Sequence, residues 1–226
     1  MEIESAVRAS VSPLVEMIWH TASSQPIDFM SVAATNWEIV FSRVKGETSI
    51  AVRGPETTAS RAQVPDDAEF FGIVFKLGTF MPHLPVRNLV DSMVALPFAA
   101  GRSFWLNGSA WQMPNYENAD TFVEMLVRYG ILVREPVVDD ALNGRIPDLS
   151  LRSVQRRFIN ATGITHGTIV QIQRARQAAA LLEQGMSILD TVERAGYADQ
   201  PHLTRSMRRF FGLTPVQVQL GVMRSP

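Results

Sequence analysis

GYADQPHLTRSMRRFFGLTP, residues Gly196 to Pro215, places three arginines and a histidine among apolar residues at helical spacing. Asp199 can cap the start of a helix, and Pro201 falls in its first turn, where proline's missing N–H donor costs nothing. At about 100° per residue, Leu203, Met207, Phe210 and Phe211 share one face, while His202, Arg205, Ser206 and Arg209 share another. One face is anchored and the other is presented. Just upstream, SILDTVERAGYA supplies a short helix with Ile188 and Val192 on one side, then Gly196 where the chain must turn tightly. This is the grammar of a helix-turn-helix.

The pattern occurs once more, ending in SVQRRFINATG (Ser153 to Gly163), again with arginines, a phenylalanine and a glycine. Leu151, Val154 and Phe158 predict an apolar stripe, with Arg152, Gln155, Arg156 and Ile159 on a neighbouring face and Ser150 as N-cap. Between the two units, Thr168 to Gln184 predicts a helix of about 17 residues, roughly 25 Å long at about 1.5 Å per residue. With its flanking elements, such a spacer can set two recognition helices about 34 Å apart, one turn of duplex. Helices are expected near residues 118–130, 136–143, 150–161, 168–184, 187–195 and 200–211.

The charge is divided in the same way. The 226 residues carry a formal net charge of −1. Residues 1–144 hold 10 basic against 17 acidic residues, a balance of −7; residues 145–226 hold 11 against 5, a balance of +6, and all 11 are arginine. Arginine's planar fork suits phosphate oxygens and guanine edges, so a polyanion partner is expected for the second part alone. Cysteine is absent, which excludes disulfides, thiolate metal sites and cysteine nucleophiles. No run of about 18 apolar residues suggests a membrane span, and the first residues lack a basic signal-like region. The expectation is a soluble cytoplasmic chain.

The first half reads mainly as strands. TNWEIVFSRV (Thr35 to Val44), a turn at Lys45-Gly46 and TSIAVRGP (Thr48 to Pro55) predict a hairpin. After a polar stretch from Glu56 to Glu69 comes the apolar run FFGIVFKLG (Phe70 to Gly78), and SFWLNGSAW (Ser103 to Trp111) predicts a second hairpin about Asn107-Gly108. A short helix is expected around Arg87 to Val94. The fold class is α+β: a mainly-β domain, a small barrel or sandwich, over residues 1–114, then an all-α domain over 115–226 with two helix-turn-helix units joined by a helix.

The ordered motifs LSLRSVQRRF, ATG, RARQAAALL, AGYADQPHLTR and FFGLTP, from Leu149 to Pro215, resemble the DNA-binding domain of AraC-type bacterial transcription regulators. The resemblance implies double-stranded promoter DNA as partner, read in adjacent major grooves. By the same resemblance Arg152, Gln155 and Arg156 fall where the first recognition helix reaches bases, and Gln200, His202 and Arg205 where the second does. Arg157, Arg208 and Arg209 are assigned to phosphate. Arg174 and Arg176 in the spacer are read as surface or ion-paired side chains. Two departures stand out: Thr191-Val192 where the family has isoleucine then alanine, and a lengthened turn, ALNGRIPDLS (Ala141 to Ser150). The first half, with WEIVF and FKLGTFMPHLP, resembles more loosely the cupin-like sensor domains that precede such helical domains, which implies a small organic effector or a dimerising role.

Trp37, Phe41, Phe75 and Trp105 are candidates for an apolar effector pocket, with ordinary core packing as the competing reading. His20 and His83 form no pair with metal-ligand spacing, and no serine lies in a nucleophile-elbow context, so neither metal, cofactor nor enzymatic activity is expected. Three readings stay open: an effector-responsive regulator, a constitutive DNA binder whose first domain only forms a homodimer or contacts RNA polymerase, and, against the expectation of no enzymatic activity, an enzyme on a cupin-like barrel fused to a regulator domain.

Overall fold

The computed structural model describes residues 3–145 and 148–221; the lengthened turn noted above includes residues 146 and 147, which lie outside them. The first part runs through β1 (Ile3–Arg8), β2 (Val15–Ser23), β3 (Ile27–Ser31), β4 (Glu38–Val44), β5 (Glu47–Arg53), β6 (Ser60–Val64), β7 (Ala68–Phe75) and β8 (Thr79–Phe80). After a 3-10 turn at Val86–Asn88 come β9 (Met93–Ala95), β10 (Ser103–Leu106), β11 (Ser109–Gln112), helix α1 (Ala119–Arg128) and β12 (Val133–Arg134). Six strands make an antiparallel sheet in the order β1-β2-β7-β4-β5-β9.

The apolar run of β7 explains its central place between β2 and β4, because Ile73 and Phe75 are fully buried and an edge would leave them wet. Gly72 is required there: a Cβ would overlap the Trp19 indole of β2. Both expected hairpins form, and the second turns through Asn107 (φ 50°) and Gly108 (φ 75°), the two positive angles a tight two-residue turn needs. The polar stretch from Glu56 to Glu69 contains β6, which pairs with β3. Instead of a helix over Arg87 to Val94 the chain makes only the 3-10 turn, since Asp91 takes a positive φ (52°) and directs the chain into β9.

Helix α1 departs from the expected domain boundary at residue 114. Ala119, Phe122, Val123 and Leu126 are buried in the same core as Ile18, Ile39, Phe75 and Phe104. Phe122 meets Phe41, Phe104 and Trp111 edge-on at 6.0–6.2 Å between centroids. Asp120 is held by Arg8 at 2.6 Å and by Ser10. The first core extends to Leu132 and the second begins at Val138, some twenty residues later than the composition suggested.

The second part holds α2 (Pro136–Leu142), α3 (Leu151–Thr162), α4 (His166–Glu183), α5 (Ile188–Arg194), α6 (Gln200–Phe211) and α7 (Pro215–Gln219). Its core joins Phe158, Ile169, Ile172, Leu182, Leu203, Met207 and Phe210, but also Ala33 from the β domain, with Val32, Leu77, Phe80 and Val90 packed against it. The helical domain therefore does not complete its own core. Backbone N–H groups of Ala33 and Ala59 donate to the carbonyls of Phe210 and Arg209 at 2.8 Å each, satisfying carbonyls that the end of α6 would otherwise leave open. Among the described residues no helix is long and apolar enough to cross a membrane.

Candidate nucleic-acid interface

In the second helix-turn-helix unit, Ser187 caps α5 by accepting from the Asp190 N–H at 3.1 Å. Gly196 (φ 70°) turns the chain, and Asp199 caps α6 by accepting from the His202 N–H at 2.6 Å. Leu203, Met207, Phe210 and Phe211 are buried as a set. Burying them fixes the rotation of α6 and leaves Gln200, Arg205, Arg208 and Arg209 exposed. His202 is half-buried, its ring edge-on to Tyr197 at 5.0 Å. The Tyr197 hydroxyl lies 2.9 Å from that of Ser206, so Ser206 belongs to the joint between turn and helix and not to the presented surface.

The first unit uses different parts for the same purpose. Glu135 caps α2 by accepting from the Val137 N–H at 3.2 Å, and Ser150 caps α3 by accepting from the Ser153 N–H at 3.3 Å. Arg152, Gln155 and Arg156 are exposed on α3. Arg157 does not stand free for phosphate: Nε and Nη2 donate to the two carboxylate oxygens of Glu135 at 2.9 and 2.8 Å, a bidentate pair that ties α3 to the start of α2. That pairing raises the Arg157 pKa further. Leu151 is 73% exposed, and Phe158, Ala161 and Thr162 make the buried stripe in its place. The substituted pair Thr191-Val192 is accommodated by a hydrogen bond, the Thr191 hydroxyl donating to the Ser187 carbonyl at 2.8 Å.

Sequence reading missed Glu135, whose partner lies 22 residues away; its only local sign was a helix-starting proline after it. It also missed a cleft of about 290 Å³ between α4 and α6, where Arg174 meets His202, Arg205 and Arg209.

The β domain carries an open cavity of about 550 Å³. Phe41 and Phe71, stacked at 5.1 Å, line it together with Tyr116, His20, Arg43, Glu69 and Arg102. The His20 hydrogen bond at 3.0 Å, opposed by burial and supported by Arg43, holds the Glu69 carboxyl below its ordinary value. Of the four aromatic candidates only Phe41 borders this cavity. Trp37 stacks on Phe75 at 4.2 Å inside the core and donates to the Thr79 carbonyl at 2.6 Å, whereas Trp105 is 46% exposed on the β10–β11 hairpin. Three of the four are therefore core or surface residues. Among the described residues no cluster of three or more His, Asp or Glu forms a metal-binding group.

Residues 145–220 match a family described as a helix-turn-helix domain. The chain is 34% identical over 93 residues to the HTH-type transcriptional regulator RipA of Corynebacterium glutamicum, covering 40% of this chain and 28% of RipA. It is 38% identical over 71 residues to the HTH-type transcriptional regulator VirS of Mycobacterium tuberculosis, covering 31% of this chain and 21% of VirS. The chain thus matches about a quarter of the length of these curated relatives. A structure of ToxT from Vibrio cholerae aligns over 96% of this chain and 98% of its own at 10% identity, with a TM-score of 0.37.

Proposed function

We propose that the AraC-type helix-turn-helix domain formed by residues 145–220 makes this chain a sequence-specific DNA-binding transcription regulator. In this reading α3 and α6 enter adjacent major grooves. The observation that carries it is the repeated presentation: two helices of 12 residues, each capped at its start, closed by a left-handed glycine and pinned by a buried stripe, expose polar faces on one body. Arg152, Gln155 and Arg156 then read bases from α3, and Gln200, His202 and Arg205 from α6. Arginine matches guanine O6/N7 and glutamine matches adenine N6/N7. Arg208 and Arg209 supply phosphate affinity, and Arg157 holds the first unit together.

The cavity bordered by Phe41, Phe71, Tyr116 and Arg102 is the seat for a small organic effector. Its domain touches the ends of both recognition helices: Gly163 packs on Val86 and Val90, and Gly212 packs on Met30. A ligand that shifts the β domain can thereby shift the spacing of the readers.

Selection of bound fragments from random duplex DNA, followed by footprinting at two salt concentrations, tests the reading. Two protected boxes about one turn apart support it; no enrichment removes it. With the selected fragment in hand, a metabolite screen that moves neither its affinity nor the melting temperature would leave the constitutive alternative.

A further inference from the structure

Arg174 and Arg176 stand two residues apart on α4, and the structure gives them different neighbours. Arg176 reaches the β domain, where Nη2 donates to the Ala33 carbonyl at 3.0 Å. Arg174 lies roughly 200° round the helix from it. Its guanidinium sits 5.8 Å over the Tyr197 ring, and among the described residues it forms no ion pair. It borders the cleft whose opposite wall is His202, Arg205 and Arg209. Three guanidiniums and an imidazole thus surround one space with no carboxylate among its lining residues. The three guanidinium charges repel one another, and an anion between them makes each interaction attractive.

We infer that the cleft between α4 and α6 seats a backbone phosphate of the bound duplex, with Arg174 as a positioning residue that grips it from the spacer helix. The inference rests on the DNA-binding reading. A phosphodiester offers two non-bridging oxygens, which match the planar fork of a guanidinium. The Tyr197 ring lies beneath that fork, and the Ser206 hydroxyl fixes the ring through its phenol. A volume of about 290 Å³ leaves room for the flanking sugars beside the phosphate. Contact from α4 would fix how deeply α6 enters its groove, since the spacer and the reading helix then hold the same strand.

The test is the salt dependence of binding to a labelled random-sequence duplex of about two helical turns, compared for the wild-type full chain, Arg174→Gln, Arg174→Lys and Arg176→Ala. Each phosphate contact contributes roughly 0.9 to the slope of log affinity against log salt. Arg174→Gln is expected to lower the slope by about that amount, so its deficit against wild type narrows about 3.5-fold when salt rises fourfold. Arg174→Lys keeps the charge and is expected to keep the slope while binding more weakly. Arg176→Ala is expected to keep the slope, whatever it does to the melting temperature. A merely structural role for Arg174 would move melting temperature and leave the slope alone, and an unchanged slope in Arg174→Gln overturns the seat. Failure of the wild type to bind any duplex overturns the DNA-binding reading itself. Replacing chloride by inorganic phosphate at constant ionic strength is expected to change nothing; a loss of affinity confined to chains that keep Arg174 would mean that free phosphate is the occupant and would overturn the duplex assignment.

Discussion

The two helix-turn-helix units share a frame and differ in what locks it. Counted from their caps, Ser150 and Asp199, both recognition helices run 12 residues to glycines with φ 76° and 68°. In that register Arg156 matches Arg205, Arg157 matches Ser206, and Ile159-Asn160 match Arg208-Arg209. The seventh position of each helix faces back to its partner. In the first unit it is a cation bound to Glu135; in the second it is a neutral hydroxyl bonded to Tyr197. The second unit thus keeps all three guanidiniums of α6 for the surface, whereas the first keeps two and places apolar and amide groups where the second has Arg208 and Arg209. One backbone plan thus presents a different surface charge in each unit, in part because an arginine closes the first joint and a serine the second.

The largest perturbation available is to the stripes that pin the helices. Phe158→Ala should cost about 3–5 kcal/mol, and Met207→Ala at the matching position about 2–5 kcal/mol, measured by chemical denaturation. Since the second core takes in Ala33 and leans on Val90 of the β domain, each variant should unfold in one transition and weaken both footprint boxes. Loss of a single box with the other unchanged would show the units to be independent.

The joints come next. Removing one partner of a buried ion pair costs several kcal/mol, but the Arg157 side chain is 42% exposed and solvent screens it. Glu135→Gln should therefore destabilise less than the loss of a fully buried pair would and weaken the first box more than the second. Ser206→Ala, which removes a neutral bond, should cost about 0.5–1.5 kcal/mol and act on the second box. Equal effects on both boxes from either change would erase the distinction between the locks.

At the presented surface, Arg156→Ala and Arg205→Ala should each lose about 1–3 kcal/mol of discrimination at one base position. Arg209→Ala should weaken all sequences alike, with no counterpart in the first unit. Equal loss on specific and random duplex for Arg205→Ala would mean that it reads phosphate.

The helical part was legible because its signals are local: caps, positive-φ glycines and apolar residues three and four apart lie within one turn of each other. The capping box that opens α7, Thr214 with Gln217, was of the same kind and was passed over. What could not be read was pairing at a distance. The polar SRAQV of β6 is a strand only because β3 lies beside it. Helix α1 has a clear apolar side, but no residue in it says which of two cores will take that side. Arg157 looked like a phosphate ligand because Glu135 is out of sight in sequence, and Arg174 reads as a surface or ion-paired side chain because the neighbours that surround it, Tyr197 and the residues of α6, are distant in sequence. In the β domain, Phe41 and Trp37 were indistinguishable as sequence. The sheet sends the first to the border of the cavity and the second onto Phe75.

The smallest expected effect separates the locks by their protons. Residues 145–226 contain one tyrosine, Tyr197, and no lysine, so few groups there titrate near pH 10. Burial raises the Tyr197 pKa above its ordinary 10.0, against the opposing pull of the Ser206 hydrogen bond and the Arg174 charge. A pKa that is higher in the folded chain means that folding favours the protonated phenol. The contribution is then fully present below pH 10.0 and is lost as pH rises through the folded value. At neutral pH Tyr197→Phe should be less stable than wild type by about 0.5–1.5 kcal/mol, the worth of one neutral hydrogen bond. As pH climbs past 10.0 the gap should close, because only the wild type must hold a phenol against ionisation. Denaturant midpoints of the two proteins across that range decide it: a constant gap would mean that the joint of the second unit carries no proton linkage, and the contrast with the ionic first joint would then rest on geometry alone.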